Sequence, residues 1–307
     1  MGAEGLTVAV IGGGWAGLAA AVRAVEAGHR VTLLEMSPHW GGRARRVDVD
    51  SLALDNGQHI LIGAYSRTLA LMSTVGADIA GSLHRKPLEL RYPDGRGLRL
   101  PAGPAWLGFA AAVFGCVGWN WRDRLALLGT AAGWALHGFT CPSGMTVAAL
   151  CHTLPPAVRQ LLIDPLCVAA LNTKAQDASA EVFLRVLRDA LFSGPGSADL
   201  LLPRGPLGAL LPQPAAAWLQ AHGATLRTGR RTMQLARKGQ GWLVDGDEHD
   251  AVILACSAHE AARLAHAHAP AWAACTQAIG YEPIVTVYLR CADARLPLPH
   301  DGVGGGA

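Results

Sequence analysis

This sequence predicts an α/β fold in which a Rossmann-like nucleotide-binding domain carries an inserted α+β substrate domain. Three observations predict it. A strand, a glycine turn and a helix open the chain in "VAVIGGGWAGLAAA" (8–21); a strand-rich block returns at 223–257; and the interval 65–200 is helix-rich, with many Ala and Leu. A chain of 307 residues has room for two domains of about 100–200 residues each.

Residues 6–11 are a short run rich in Val and Ile, as expected of a parallel strand buried on both faces. The helix pattern in "LAAAVRAVEAG" closes at Gly28, a residue suited to the position just past a helix end. "HRVTLLE" (29–35) is the next strand, so about 30 residues hold one β-α-β crossover. The block at 223–257 reads as a strand, a turn, a β-ribbon and a buried strand at 251–255, with the chain returning to the nucleotide sheet. "YEPIVTVYLR" (281–290) starts a further strand. The predicted division is 1–65 with 201–265 as the nucleotide-binding domain, and 66–200 with 266–307 as the helix-rich substrate domain. "LPLPHDGVGGGA" (296–307) offers neither helix nor strand to complete a domain, and predicts a truncated chain.

Hydrophobic residues make up 51% and charged residues 16%, enough apolar material for a large core. A formal net charge of +3 is too small and too scattered to imply a nucleic-acid partner. The mean hydropathy of +0.25 points instead to contact with lipid or an apolar substrate. Seven cysteines without a CxxC pair argue for reduced thiols in a cytosolic protein, against a disulfide framework or a zinc site. The first apolar run is broken by glycines in a nucleotide-turn pattern and is no secretory signal, which places the protein on the cytoplasmic side.

The chemistry begins at Gly12, Gly14 and Gly17, the glycines of a GxGxxG turn that also contains Trp15 and Ala16. In this pattern the glycines allow a tight turn, backbone approach to a pyrophosphate and close helix–strand packing. The helix start then offers free N–H groups to the phosphates. Glu35 ends the second strand, where a carboxylate accepts ribose hydroxyls and disfavours a 2′-phosphate. That leaves FAD or NAD rather than NADP. Six residues on, "GGRARR" sets Gly41 and Gly42 for close passage along a diphosphate, with Arg43 supplying charge. Arg45 and Arg46 read as a basic surface turn. Asp55, Asn56, Gln58 and His59 then place four polar side chains in an apolar setting, a pattern that touches a cofactor or substrate or is satisfied by backbone. Gly57 and Gln58 are placed with the cofactor-binding residues, and Asp55 and His59 are the catalytic candidates by their place in this cluster.

GxGxxG, a strand-terminal Glu and a trailing GGR together resemble the flavin amine oxidase and phytoene desaturase superfamily, which selects FAD. "DNGQHILIGAY" (55–65), "ALNT" (170–173) and "LLPRGPLGALLP" (201–212) are similar to its squalene-associated branch, the hydroxysqualene dehydroxylases of bacterial hopanoid synthesis. The resemblance runs from residue 8 to 290. It implies an FAD-dependent enzyme that reductively removes the hydroxyl of hydroxysqualene to give squalene. It also implies that Gly205 lies near the flavin ring and that Thr232 or Met233 offers backbone groups to adenine. A further flavin-contacting segment of the branch falls beyond residue 307. The alternatives are a carotenoid (phytoene-type) desaturase, an amine oxidase, or a truncated flavoprotein fragment without activity.

The apolar stretches 101–121 and 125–151 are each about as long as a membrane span. Frequent Gly and Pro and the "RDR" at 122–124 oppose crossing. Core or tunnel helices and a patch in peripheral contact with a membrane surface are the other two readings. His259, His266 and His268 lack the i, i+4 spacing of a helical metal site, so no metal is expected. No GxSxG supports hydrolysis.

Overall fold

The computed structural model describes residues 5–101 and 103–289. Strand β1 (Thr7–Ile11) leads into helix α1 (Trp15–Glu26) and strand β2 (Arg30–Leu34). Val8 to Ile11 are buried, as a strand flanked on both sides requires: β1 pairs in parallel with β2 and with Ala251–Leu254. The sheet runs Thr225–Arg227, β2, β1, Ala251–Leu254. Past the end of α1, Gly28 takes φ +83°, and His29 N donates to Ala24 O.

One face of this sheet packs Val8, Val10 and Leu33 against Leu18 and Val22 of α1 and against Ala215 and Leu219 of the helix Pro212–Ala221. Leu71, Met72, Val75 and Leu83, beyond residue 65, are part of the same core. On the other face, Ala9, Ile11 and Leu34 meet Val244 and Leu264. Val244 belongs to the antiparallel ribbon Leu235–Lys238, Gly241–Val244, Asp247–His249. A second core, around Val113, Leu127, Val158, Leu162 and Phe183, sits among the helices of the insertion. There Asn172 of "ALNT" takes φ +51° as the left-handed cap of the helix Asp164–Leu171.

The two apolar stretches fold as separate short helices, Ala105–Gly115 and Trp121–Leu136. Asn120 starts the second with a capping box: its Oδ1 accepts from Arg122 N and Asp123 N, and Asp123 Oδ2 accepts from Asn120 N. No helix among the described residues is long and apolar enough to cross a membrane. Trp119 is buried and donates to Ala157 O, whereas Trp106, Leu107, Phe114, Trp121, Leu125 and Leu136 are exposed.

The strand expected over 281–290 does not form in its described part. Residues 281–289 run without a ladder partner, with Ile284, Val285, Val287 and Leu289 exposed. β-propensity alone does not hold a strand; it needs a neighbouring edge to pair with. The segment 296–307 and Cys291 lie outside the described residues. Cys116, Cys151 and Cys167 are buried free thiols, and burial pushes Cys151 up to about 12.

Candidate functional site

The carboxyl ends of β1 and β2 carry the residues expected to bind nucleotide. Gly14 is the N-cap of α1 without any side-chain cap, so the first-turn N–H groups at Trp15, Ala16 and Gly17 face the turn. Close packing explains Gly17: a Cβ there would fall 1.7 Å from Gly12 O. The second glycine turn lies directly against the first. Gly41 N donates to Gly13 O at 2.9 Å, and Gly14 and Gly41 form a parallel bridge. Gly42 has φ +61°, and a Cβ on it would sit 3.0 Å from Gly14 Cα. Two glycine turns 28 positions apart (42 − 14) thus form a side-chain-free seam at the start of a helix. That surface suits a diphosphate.

Glu35 is buried beside this seam. Its Oε2 accepts from Gly13 N at 2.6 Å and its Oε1 from Ser37 N at 2.7 Å. A carboxylate oxygen retains further acceptor capacity after one such bond, so Glu35 has room for another donor. Residues 229–233 pass alongside: Gly229 N donates to Ser37 O and Arg230 N to Glu35 O. Of the two residues expected at adenine, Met233 has both backbone groups engaged. Its N–H donates to Asp245 Oδ1 and its carbonyl accepts from Arg263 Nη1; Thr232 is buried and its carbonyl accepts from Arg263 Nη2. Arg231, together with Arg263, holds the Glu260 carboxyl below its usual range.

The sequence pattern is corrected at the basic turn. Arg43 is exposed, and its carbonyl accepts from Asn56 Nδ2. Arg45, read as a surface charge, is half-buried and donates to Gly42 O at 2.9 Å, while Arg46 pairs with Asp48. Arg45 therefore fixes the second glycine turn. Spacing alone does not single it out from its two neighbours. Trp40, also missed, lies where a Cβ on Gly13 would meet its ring.

The strands β3 (Arg46–Val49) and β4 (Leu52–Asp55) form a hairpin that carries the chain from this turn to Asp55. Both Asp55 carboxylate oxygens accept from Leu207 N, at 3.0 and 3.1 Å, and its carbonyl accepts from Tyr288 Oη at 2.7 Å. Asn56 N donates to Arg45 O. The four polar residues are not uniformly buried: Asn56 and Gln58 are exposed, Asp55 and His59 half-buried. Gly57 has Thr286 Oγ1 within 3.3 Å of its Cβ direction, and Gly205 has open space at the same test. Trp15 Nε1 and His59 Nδ1, both shielded from solvent, have no hydrogen-bond partner among the described residues. Cavities of about 510 and 410 Å³ lie elsewhere, beside Trp242 and beside Leu98. The residues lining them do not include those of the glycine seam.

Residues 15–299 match the family model of flavin-containing amine oxidoreductases. The chain belongs to this family. Its cofactor is accordingly a flavin, as the FAD expectation had it, and the seam, the buried Glu35 and the helix start fit that group's diphosphate and ribose. Among relatives of this amine-oxidoreductase family chain is hydroxysqualene dehydroxylase of Rhodopseudomonas palustris, 31% identical over 84% of this chain and 63% of that protein. A probable zeta-carotene desaturase of Synechococcus elongatus is 28% identical over 84% of this chain and 60% of its own length. The chain thus spans less than two-thirds of these curated relatives. An oxidoreductase structure from Methanosarcina mazei shares the fold, with a TM-score of 0.61 at 19% identity, covering 89% of this chain and 65% of that one.

Proposed function

We propose that this chain carries the FAD-binding portion of a hydroxysqualene dehydroxylase, with the helix-rich insertion as the isoprenoid-binding part. The observation that carries the proposal is the glycine seam with the 55–59 segment tied to it through Arg43 and Arg45. The similarity to the Rhodopseudomonas enzyme supports hydroxysqualene as the substrate. When bound and reduced, FAD supplies hydride to a carbon centre.

The chain's own residues do the rest. The α1 start and the seam bind the diphosphate, and Glu35 orients the ribose. Arg45 holds the Gly42 turn in place. The hydroxyl of the substrate is allylic, so its C–O bond breaks readily once the oxygen gains a proton. Water would then leave, and the overall change would balance as R–OH + H⁻ + H⁺ giving R–H + H₂O. Asp55 and His59 are the two groups of this segment that can hold that proton. The two-body division at 1–65 with 201–265 and 66–200 with 266–307 is proposed on the same footing.

Incubation of hydroxysqualene with reduced FAD and, separately, of phytoene with oxidised FAD decides the substrate by mass spectrometry. Squalene is the expected product. Desaturated carotene from phytoene, with hydroxysqualene untouched, would favour the reading that the Synechococcus relative supports. Flavin binding with neither product would leave the inactive-fragment alternative.

A long isoprenoid reaches its enzyme from lipid, and the exposed apolar side chains have a place in that step. Trp106, Leu107 and Phe114 on one helix and Trp121, Leu125 and Leu136 on the next are proposed to rest on a membrane surface at the cytoplasmic side. Flotation with phosphatidylglycerol-containing vesicles is expected to carry the chain upward, and Trp121→Glu with Leu125→Glu to reduce the bound fraction at least threefold. A chain that stays at the bottom with vesicles present refutes this contact.

A further inference from the structure

Asp55 and His59 stand four residues apart, yet the structure gives them opposite surroundings. Asp55 closes β4, and its side chain reaches across 152 positions of sequence to Leu207. Leu207 follows Pro206, which has no N–H to give, so its N–H is the first backbone donor after that proline. Both Asp55 oxygens face that one N–H, at 3.0 and 3.1 Å. The carbonyl of the same residue accepts from Tyr288 Oη and from Gly57 N. Asp55 thus acts as an acceptor inside the protein through its carbonyl and, at one shared N–H, through its carboxylate. His59 differs: Nδ1 is shielded from solvent and has no hydrogen-bond partner among the described residues. Its unused capacity is the kind a proton-holding group has.

We infer that Asp55 is a positioning residue that docks the 204–206 loop, with the start of the helix Leu207–Leu210, and Tyr288 against the glycine seam, and that the proton of the proposed reaction is held at His59. The inference rests on the FAD-binding reading above for its second half only. Through Asn56, whose N–H and side chain grip the carbonyls of Arg45 and Arg43, the docked loop is continuous with the Gly42 turn. Three distant segments, 43–45, 204–210 and 288, therefore meet at one two-residue turn. Loss of the Asp55 acceptor frees the loop that carries Gly205, whereas an amide in its place keeps one oxygen for Leu207 N.

Asp55→Ala and Asp55→Asn in the 307-residue chain separate the roles. The first readout needs no flavin. Trypsin cuts after Arg204, an exposed residue at the start of the loop, and the rate is followed by mass spectrometry. Asp55→Ala is expected to be cut there about tenfold faster than the unaltered chain, and Asp55→Asn within about threefold of it. The second readout is FAD titration: Asp55→Ala weakens binding about tenfold, and Asp55→Asn restores most of it. Equal cutting in all three chains overturns the docking role. Cutting slow in Asp55→Asn, with FAD bound and hydroxysqualene turnover lost, returns the proton to Asp55 and overturns the assignment to His59. Failure of every chain to bind FAD strikes the proposed function, while the trypsin result still decides the docking.

Discussion

Gly17→Ala is expected to yield a chain that fails to hold FAD, with affinity reduced by about a hundredfold or more. The added methyl would lie 1.7 Å from Gly12 O and 2.9 Å from Gly12 C, both main-chain atoms that cannot swing aside. The helix α1 must then move off β1, and Gly14 leaves its contact with Gly42. Overpacking a tight site costs about 1–3 kcal/mol and more when backbone has to shift. Each 1.4 kcal/mol is about tenfold in affinity. FAD titration by flavin fluorescence, with circular dichroism to check the fold, measures it. Gly129→Ala is the control, since nothing lies within 4 Å of its Cβ position on an exposed helix. There the helix gains about 0.5–1 kcal/mol and FAD affinity stays where it was. Near-native affinity in Gly17→Ala would mean that the turn is not packed as described.

Phe183→Ala has the largest expected effect on stability. Phe183 is fully buried at the centre of the second core and meets Trp134 edge-on, with ring centroids 6.5 Å apart. Emptying such a site costs about 3–5 kcal/mol, against typical total stabilities of about 5–15 kcal/mol. The thermal midpoint should fall by on the order of 10 °C. FAD affinity should change far less than in Gly17→Ala, because the seam rests on the other core. A midpoint within a degree or two of the original would show that the insertion's helices are not held by this ring.

The nucleotide half was legible because its signals are backbone signals. Gly12, Gly14 and Gly17 occupy positions where the main chain itself dictates the residue, and Glu35 follows from strand length alone. The return of 251–254 to β1 was readable from its apolar run and its turn-bounded flanks. Side-chain partnerships were not. Nothing in "GGRARR" distinguishes Arg45 from Arg43, since which arginine turns inward depends on the hairpin of β3 and β4 that follows. The polarity of 55–59 singled out the segment, but not that the Asp55 carboxylate accepts from Leu207 N. The strand expected at 281–290 failed for a related reason: pairing is a property of two segments, and one segment's composition reports only half of it.

The position of β1 between β2 and Ala251–Leu254 has a consequence for how the chain is made. Its first neighbour arrives within two dozen residues, but the second is separated by most of the polypeptide, and Thr7 is hydrogen-bonded to Asp250 across 243 positions. Closing so long a loop delays folding more than it lowers final stability. On the ribosome, the opening β-α-β unit therefore emerges with one flank of its central strand bare until nearly all of the described chain has followed. The glycine turn takes its finished shape late, because Ala255 N donates to Ile11 O at its base. Assembly of the cofactor's cradle is in this sense a measure of whether synthesis has reached the returning strand.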